Sequence, residues 1–292
     1  MRPLAYRFWH SPTACERVQI GCRQFYRVYS FGVSVGDFYD ELAQDYHLVY
    51  HDWYAAIERQ GAALDRLIRN RLASARDVLD CSCGIGTQSL GLASLGYRVK
   101  GTDISERSLE RARTEAVRLG LEISFARCDF RDLGPVEGTF DVVMSCDNAI
   151  PHLLTEDDVA RVFRAMRSKL RPGGLLIITV RDYDKALVER PATTTPQINP
   201  GPPRQVLVRL HDWDALDSPM YTIHLLVLTE GPTGWKVNHY STRYRAIGRE
   251  ALKVAAEHAG FTQVRWNEGN DVGFHQPVLT ALREVNKPRN DP

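Results

Sequence analysis

Apolar positions along the chain change period several times, and those changes divide it into elements. From Asp37 to Leu72 the pattern is helical: Phe38, Leu42, Tyr46 and Val49 recur at about one turn, and Ile57, Leu64, Leu67 and Ile68 continue the stripe after Trp53. From Asp77 onward short β-like runs alternate with helices. Val78-Leu79 precedes a helix from Gln88 to Leu95, Tyr97 to Gly101 precedes one from Ser105 to Leu119, and Ile123 to Ala126 runs into a loop. Phe140 to Ser145 then precedes a helix from Glu156 to Leu170, and Leu175 to Val180 closes the series. Such alternation predicts a parallel sheet with helices on both faces. Gly96 and Gly120 stop their helices, Arg171-Pro172-Gly173-Gly174 makes a sharp turn, and Thr155 with Asp158 offers a helix start.

After Val180 the alternation breaks. Pro191, Pro196, Pro200, Pro202 and Pro203 make residues 191–205 a loop. Val206 to Leu210, Tyr221 to Thr229 and Trp235 to Arg245 read as antiparallel strands, the last two joined across Glu230-Gly231-Pro232-Thr233-Gly234. A helix at Arg249 to Ala259, a strand at Gln263 to Trp266 and a strand at Pro277 to Leu282 resume the first pattern. The expected fold class is therefore α/β: a doubly wound, Rossmann-like, seven-stranded sheet with an antiparallel β insertion after the fifth strand.

The composition adds exclusions. With 292 residues, 43% hydrophobic and 25% charged, the chain can bury a core, and its apolar runs are too short to cross a bilayer as helices. A formal charge of +1 offers no field for a phosphate backbone, so no nucleic-acid partner is expected. Residues 1–36 hold Arg2, Arg7, Arg17, Arg23 and Arg27 against Glu16, a local +4 that leaves −3 for the rest. This leader lacks a secretory h-region and clear periodicity; it reads as a targeting segment, a partner-binding arm, or, as favoured here, disordered translated sequence ahead of the true start, with Val33 or Val35 marking alternative initiation. The domain is expected over 37–292. Cys15, Cys22, Cys81, Cys83, Cys128 and Cys146 form no C-x-x-C pair, so a cytoplasmic, reducing setting without metal is expected.

The chemistry concentrates in Val78-Leu79-Asp80-Cys81-Ser82-Cys83-Gly84-Ile85-Gly86-Thr87-Gln88, a strand running through a glycine turn into a helix. Backbone there can approach a nucleotide-like ligand closely. Asp103, at the end of the second strand, can accept both hydroxyls of a ribose. A nicotinamide dinucleotide would call for glycine where Ser89 stands. S-adenosylmethionine has no phosphate, and its cationic tail favours an acid near the turn, which Asp80 supplies. Cys128-Asp129-Phe130 follows the third strand, where an acid and a ring could read and stack on adenine.

On these residues the chain resembles the class I S-adenosylmethionine-dependent methyltransferases, and more narrowly the glycine N-methyltransferase and glycine/sarcosine N-methyltransferase family. The narrower resemblance rests on Phe38-Tyr39-Asp40 with Tyr46, Tyr50, Trp53 and Arg59-Gln60; on Asp80 to Gly86; on Cys146-Asp147-Asn148 with His152-Leu153; and on Arg181-Asp182-Tyr183-Asp184. It implies cofactor contacts from Tyr39, Tyr50, Arg59, Ser82, Gly84, Asp103, Asp129, Phe130 and Cys146, with Arg59 pairing with the methionine carboxylate. It implies substrate contacts from Asn148, Arg181 and Tyr221, under a substrate cap formed by residues 182–245. The implied activity is N-methylation of glycine, sarcosine or dimethylglycine, steps toward betaine. Ser82 departs from the glycine common in methyltransferases at that position.

The residues themselves are compatible with that chemistry. A guanidinium at Arg181 can grip a carboxylate through two parallel hydrogen bonds. Asn148 can both accept and donate, which suits a zwitterion. Methyl transfer is an in-line displacement in which positioning supplies roughly 7–11 kcal/mol, so no catalytic base is named. Tyr39, Tyr50, Trp53 and Tyr221 could face the cationic groups. Other readings stay open: Tyr46, Tyr50 and Trp53 also fit a core stripe, Arg181 could pair with Asp182 or Asp184, and His152 fits a structural role. Asp147-Asn148-Ala149-Ile150-Pro151-His152 does not match the pattern of base-directed nucleic-acid methyltransferases. A methyltransferase for another amine or hydroxyl is the main rival, and a non-catalytic cofactor-binding module is the rival of another class.

Overall fold

A computed structural model describes residues 34–285 of the chain. Five strands pair in parallel: β1 (Asp77–Asp80), β2 (Arg98–Asp103), β3 (Ser124–Arg127), β4 (Phe140–Ser145) and β5 (Leu170–Thr179), in spatial order β3-β2-β1-β4-β5. Central residues such as Val78, Leu79, Val142, Val143, Leu176 and Ile177 are sealed from solvent on both faces, which is what continuous apolar runs in a parallel sheet require. β11 (Val278–Arg283) pairs antiparallel with β5, and β10 (Phe261–Asn267) antiparallel with β11, completing the expected seven strands. Strand order reverses at β1, which lies between β2 and β4, and this opens a crevice at their carboxyl ends.

The segment expected as one helical stretch is three pieces: α1 (Val35–Leu42), a 3-10 turn (Tyr46–Val49) and α2 (Trp53–Arg71). Capping divides it. The Ser34 side chain accepts from the Asp37 N–H to start α1, and Asp52 accepts from Ala55 to start α2. The leader and Cys15 and Cys22 lie outside the described residues, except that Ser34, Val35 and Gly36 form the cap and first turn of α1. The other helices are α3 (Thr87–Ser94), α4 (Glu106–Arg118), α5 (Glu156–Lys169), α6 (Tyr183–Glu189), α7 (Arg249–His258) and α8 (Gly269–Val272). Among the described residues no helix is long and apolar enough to cross a membrane.

Between β5 and β10 the chain builds a second sheet of β6 (Gln197–Asn199), β7 (Gln205–Trp213), β8 (Met220–Gly231) and β9 (Gly234–Arg245), antiparallel throughout. β8 alternates cleanly, with Tyr221, Ile223, Leu225 and Val227 facing the core. The proline-rich stretch expected to be loop contains β6, because the prolines flank rather than interrupt its pairing of Ile198 with Val206. The β8–β9 turn is tighter than expected: Gly231 already pairs with Gly234. The sheet is pinned over the 3-10 turn by polar contacts. Tyr240 and Asn238 donate to Asp45 at 2.8 and 3.0 Å, and Gln197 donates to the Leu48 carbonyl at 2.8 Å.

Candidate functional site

The glycine turn after β1 is shaped by positive backbone angles. Gly84 (φ 52°) and Gly86 (φ 93°) occupy the left-handed region, and a Cβ on Gly84 would lie 3.1 Å from the Tyr46 ring. In this conformation the Gly84 N–H donates to Asp103 Oδ2 at 2.8 Å, while Ser105 N–H donates to Oδ1 at 3.0 Å. Burial pushes the Asp103 carboxyl upward, against the pull of those N–H groups. Asp80, suggested above as the acid near a cationic ligand, has another position. It is fully buried beneath the turn and accepts from the Ser89 hydroxyl at 2.8 Å; burial raises its carboxyl to about 7.

Beside this turn lies a pocket lined by Tyr39, Tyr50, Ser82, Asp103, Asp129, Phe130 and Cys146, so seven of the expected cofactor contacts meet in one place. Gly84 frames it through Asp103. Both oxygens of Asp129 are engaged by Arg131, at 2.6–3.1 Å. The Ser82 hydroxyl shares a hydrogen bond with Ser145 at 2.7 Å. Cys146 is buried and its thiol is pushed up by burial, which makes it a poor nucleophile. His152 lines the same pocket, within 2.9 Å of the Tyr39 hydroxyl; burial lowers it to about 3, so the ring is neutral.

A second cleft of about 620 Å³ shares Tyr39, Tyr46, Tyr50 and Asp147 with the first and continues to Arg59, Asn148 and Arg181. The hinge between the two is the chain leaving β4. Asp147 (φ 54°) and Asn148 (φ 72°) are consecutive non-glycine residues in the left-handed region, a conformation held by donation from Asp147 N–H to Thr179 Oγ1 and from Asn148 N–H to the Thr179 carbonyl. This turn aims the Asp147 carboxylate at the junction. Tyr50 and Gln88 donate to it at 2.5 and 2.7 Å, and His275 lies 3.0 Å away. Burial would raise the group, but those three partners outweigh it and hold Asp147 below the usual carboxylate range. Asp147 went unassigned in the sequence, although its αL partner Asn148 was singled out; only the fold brings Tyr50, Gln88 and His275 onto it.

Asn148 is buried and satisfied on both sides: its amide donates to Tyr183 at 3.0 Å and its oxygen accepts from the Arg181 N–H at 3.1 Å. Tyr183 lies 3.0 Å from the hydroxyl of Tyr221. Tyr221 is therefore behind Asn148 and stacks on Trp213; it lines a separate 200 Å³ cavity that meets the cleft at Arg181, while Tyr244 takes the cleft-facing place. The Arg181 side chain makes no ion pair among the described residues, so the pairing with Asp182 or Asp184 weighed above is not formed; both acids instead lie near Arg249. Tyr183, Tyr221, Tyr244 and Tyr39 surround it and favour its charge against burial. Arg59 is exposed at the cleft wall. Arg209, from β7, also lines the cleft and was not expected from the sequence, because nothing local distinguishes it from other strand arginines.

The donor set of the first pocket suits S-adenosylmethionine. Asp103, Asp129 and Asp147 are acids, and Arg131, the one cation among the described lining residues, is committed to Asp129. Such a lining would repel a pyrophosphate and favours a neutral ribose with a cationic sulfonium. Comparisons with known proteins agree. A methyltransferase-domain family matches residues 78–174. The chain is 32% identical to the cypemycin N-terminal methyltransferase of a Streptomyces species over 85% of this chain and 95% of that protein. It is also 32% identical to a glycine/sarcosine N-methyltransferase of Parasynechococcus marenigrum, over 47% of this chain and 48% of that protein; the match spans about half the length of that relative. Among solved structures, CalS10, a SAM-bound amino pentose methyltransferase from Micromonospora echinaspora, superposes with a TM-score of 0.65 at 21% identity, over 82% of this chain and 95% of that one. An acid-lined pocket at the reversal of a seven-stranded sheet, together with a relative matched along nearly its whole length, places this chain in the S-adenosylmethionine-dependent methyltransferases.

Proposed function

We propose that this methyltransferase acts on the amine of a small α-amino carboxylate, with glycine and its N-methylated forms, sarcosine and dimethylglycine, as the smallest acceptors. The observation that carries this reading is Arg181, a guanidinium without a carboxylate partner among the described residues, beside Asn148 in the cleft that shares Asp147 with the cofactor pocket. When bound, S-adenosylmethionine supplies an electrophilic methyl group and a neutral thioether leaving group.

The chain's own residues account for the rest. Arg181 holds the acceptor carboxylate, and Asn148 anchors the Arg181 backbone so that the guanidinium is presented in one orientation. The acceptor nitrogen would have to be presented as the neutral amine with its lone pair free; for glycine and sarcosine an N–H proton would then pass to solvent, whereas dimethylglycine, which carries no N–H, would give a quaternary ammonium with no proton to lose. Asp147, held anionic at the junction of the two cavities, is placed to stabilise positive charge on the nitrogen, and Tyr39, Tyr46 and Tyr50 line both cavities beside it, where aromatic rings attract cations. No catalytic base is assigned, since positioning can supply much of the barrier.

A second reading has a specific observation behind it. The cleft, at about 620 Å³, exceeds what glycine fills, and the relative matched over 95% of its length is an N-terminal methyltransferase, so a peptide amine is the alternative acceptor. Incubating purified protein with S-adenosylmethionine and glycine, sarcosine, dimethylglycine, larger amino acids or short peptide amides, and measuring S-adenosylhomocysteine, separates the two. Turnover of free amino acids supports the proposal. Turnover confined to peptide amides, which lack the α-carboxylate, would replace it.

A further inference from the structure

Besides Arg181 and the exposed Arg59 at its wall, the cleft contains another guanidinium without a carboxylate partner among the described residues. Arg209 lines the same cavity as Arg181 from β7, half-buried, and among the described residues its guanidinium makes one hydrogen bond, donation to the Val49 carbonyl at 3.2 Å. No carboxylate of the described residues pairs with either arginine. The one acid among the described residues of the cleft lining, Asp147, is already engaged by Tyr50, Gln88 and His275. Arg209 keeps its proton at neutral pH although burial and the nearby charge of Arg181 both work against it. Two like charges in one half-buried cleft repel each other, and a fold keeps such an arrangement readily where an anion is to be bound.

With Arg59 set aside for the methionine carboxylate, as the family resemblance implies, a glycine carboxylate can satisfy one of Arg181 and Arg209 in fork-to-fork geometry, which leaves the other facing water. We propose that the acceptor carries two anionic groups, one gripped by Arg181 and the second by Arg209: an acidic amino acid, in which the α-amine is the methyl acceptor and a side-chain carboxylate reaches the β7 wall. This rests on the amino-carboxylate reading above and narrows it. Ile223 and Leu225 of β8, with Val49, form the apolar floor near Arg209, which suits a short methylene linker between the two carboxylates. Arg209 is then a specificity-determining residue from the inserted sheet, and Arg181 the shared anchor from the end of β5.

The test compares near-isosteric pairs, aspartate with asparagine and glutamate with glutamine, with glycine as the reference, by S-adenosylhomocysteine formation. A charge-assisted contact predicts that kcat/KM of at least one acid exceeds that of its amide by about 10- to 100-fold. Arg209→Gln is expected to bring that acid-to-amide ratio close to 1, and Arg209→Lys, which keeps the charge without the fork, to leave it in between. An amide used as well as its acid by the unaltered enzyme, or an acid-to-amide ratio that Arg209→Gln leaves intact, overturns the inference. The Lys variant serves the same comparison should the Gln variant fail to fold. If glycine and the amides are methylated without preference for acids, only this inference falls; if no free amino acid is methylated, the reading beneath it falls as well.

Discussion

Arg181 is held by its backbone as much as by its surroundings: its N–H donates to Asn148, whose amide in turn donates to Tyr183. Arg181→Lys removes the planar fork while keeping the charge, so the amino-acid KM is expected to rise about tenfold or more, with the cofactor KM changing less than about twofold. Equal rises in both constants, read from initial rates at varied concentrations of each, would assign Arg181 a structural role. Asp80 makes a prediction of opposite character, about stability. Its buried carboxyl keeps a proton up to about pH 7 in the folded protein, whereas the unfolded chain releases it near about pH 4. The folded state thus binds more protons between those values, and this group's contribution to stability declines as pH rises from about 4 through 7. Asp80→Asn cannot ionise and should remove that slope, so the Tm of the variant should gain on the parent as pH is raised from 5 to 8. Parallel Tm curves for the two proteins would show that Asp80 is not the titrating group.

At the scale of elements, the cofactor pocket depends on how closely α2 can lie on α3. Gly61 of α2 faces Gly91 of α3, and a Cβ on Gly61 would fall 2.7–2.8 Å from the Gly91 backbone. Backbone cannot rotate aside as a side chain can, so Gly61→Ala must separate the helices, at a cost of about 1–3 kcal/mol. That separation would also stretch the Gln60–Gln88 contact of 2.6 Å and the chain of hydrogen bonds from Trp53 through Thr87 to Tyr50. The measured outcome should be a lowered Tm together with weaker S-adenosylmethionine binding by calorimetry; full retention of both would mean that the crossing relaxes without consequence. Gly61 and Gly91 lie thirty positions apart in the sequence, and neither the helical stripe nor the glycine turn indicated that they meet. The division of the segment before β1 into α1, a turn and α2 was partly legible, since Ser34 and Asp52 are good caps, yet the apolar stripe runs through both breaks and concealed them. α6 was missed for the same kind of reason: Asp182, weighed only as a partner for Arg181, is its N-cap.

For the whole molecule, the expected site contacts run from Tyr39 to Tyr221, all on residues between Ser34 and Val285. Removal of residues 1–33, leaving the Ser34 cap in place, is therefore expected to keep the cofactor Kd within about twofold, since the retained Ser34 preserves the roughly 1 kcal/mol that a helix cap contributes. Loss of binding on that truncation, measured by calorimetry, would make the leader part of the site. The antiparallel insertion shapes the cleft. Through Gln197, Asn238, Tyr240 and Arg209 it bonds to the segment Asp45–Val49, so the cleft is closed by two parts of the chain about 150–195 positions apart.

The period of the apolar positions determined the seven-stranded fold and its insertion, because alternating strands and helices leave few ways to bury both faces of a parallel sheet. Glycines and acids at the strand ends likewise indicated where a pocket would open, since Asp103 and Asp129 line it and Gly84 shapes the turn beside it. The tertiary structure alone decided the electrostatics of the cleft. Whether Asp80 faces a ligand or a serine, whether Arg181 is paired, whether Tyr221 or Tyr244 meets the cavity, and whether Arg209 matters at all are questions of which charges and hydroxyls lie within a few ångströms. Coulomb energy and hydrogen bonding fall off over that distance, and separation along the chain carries no record of it.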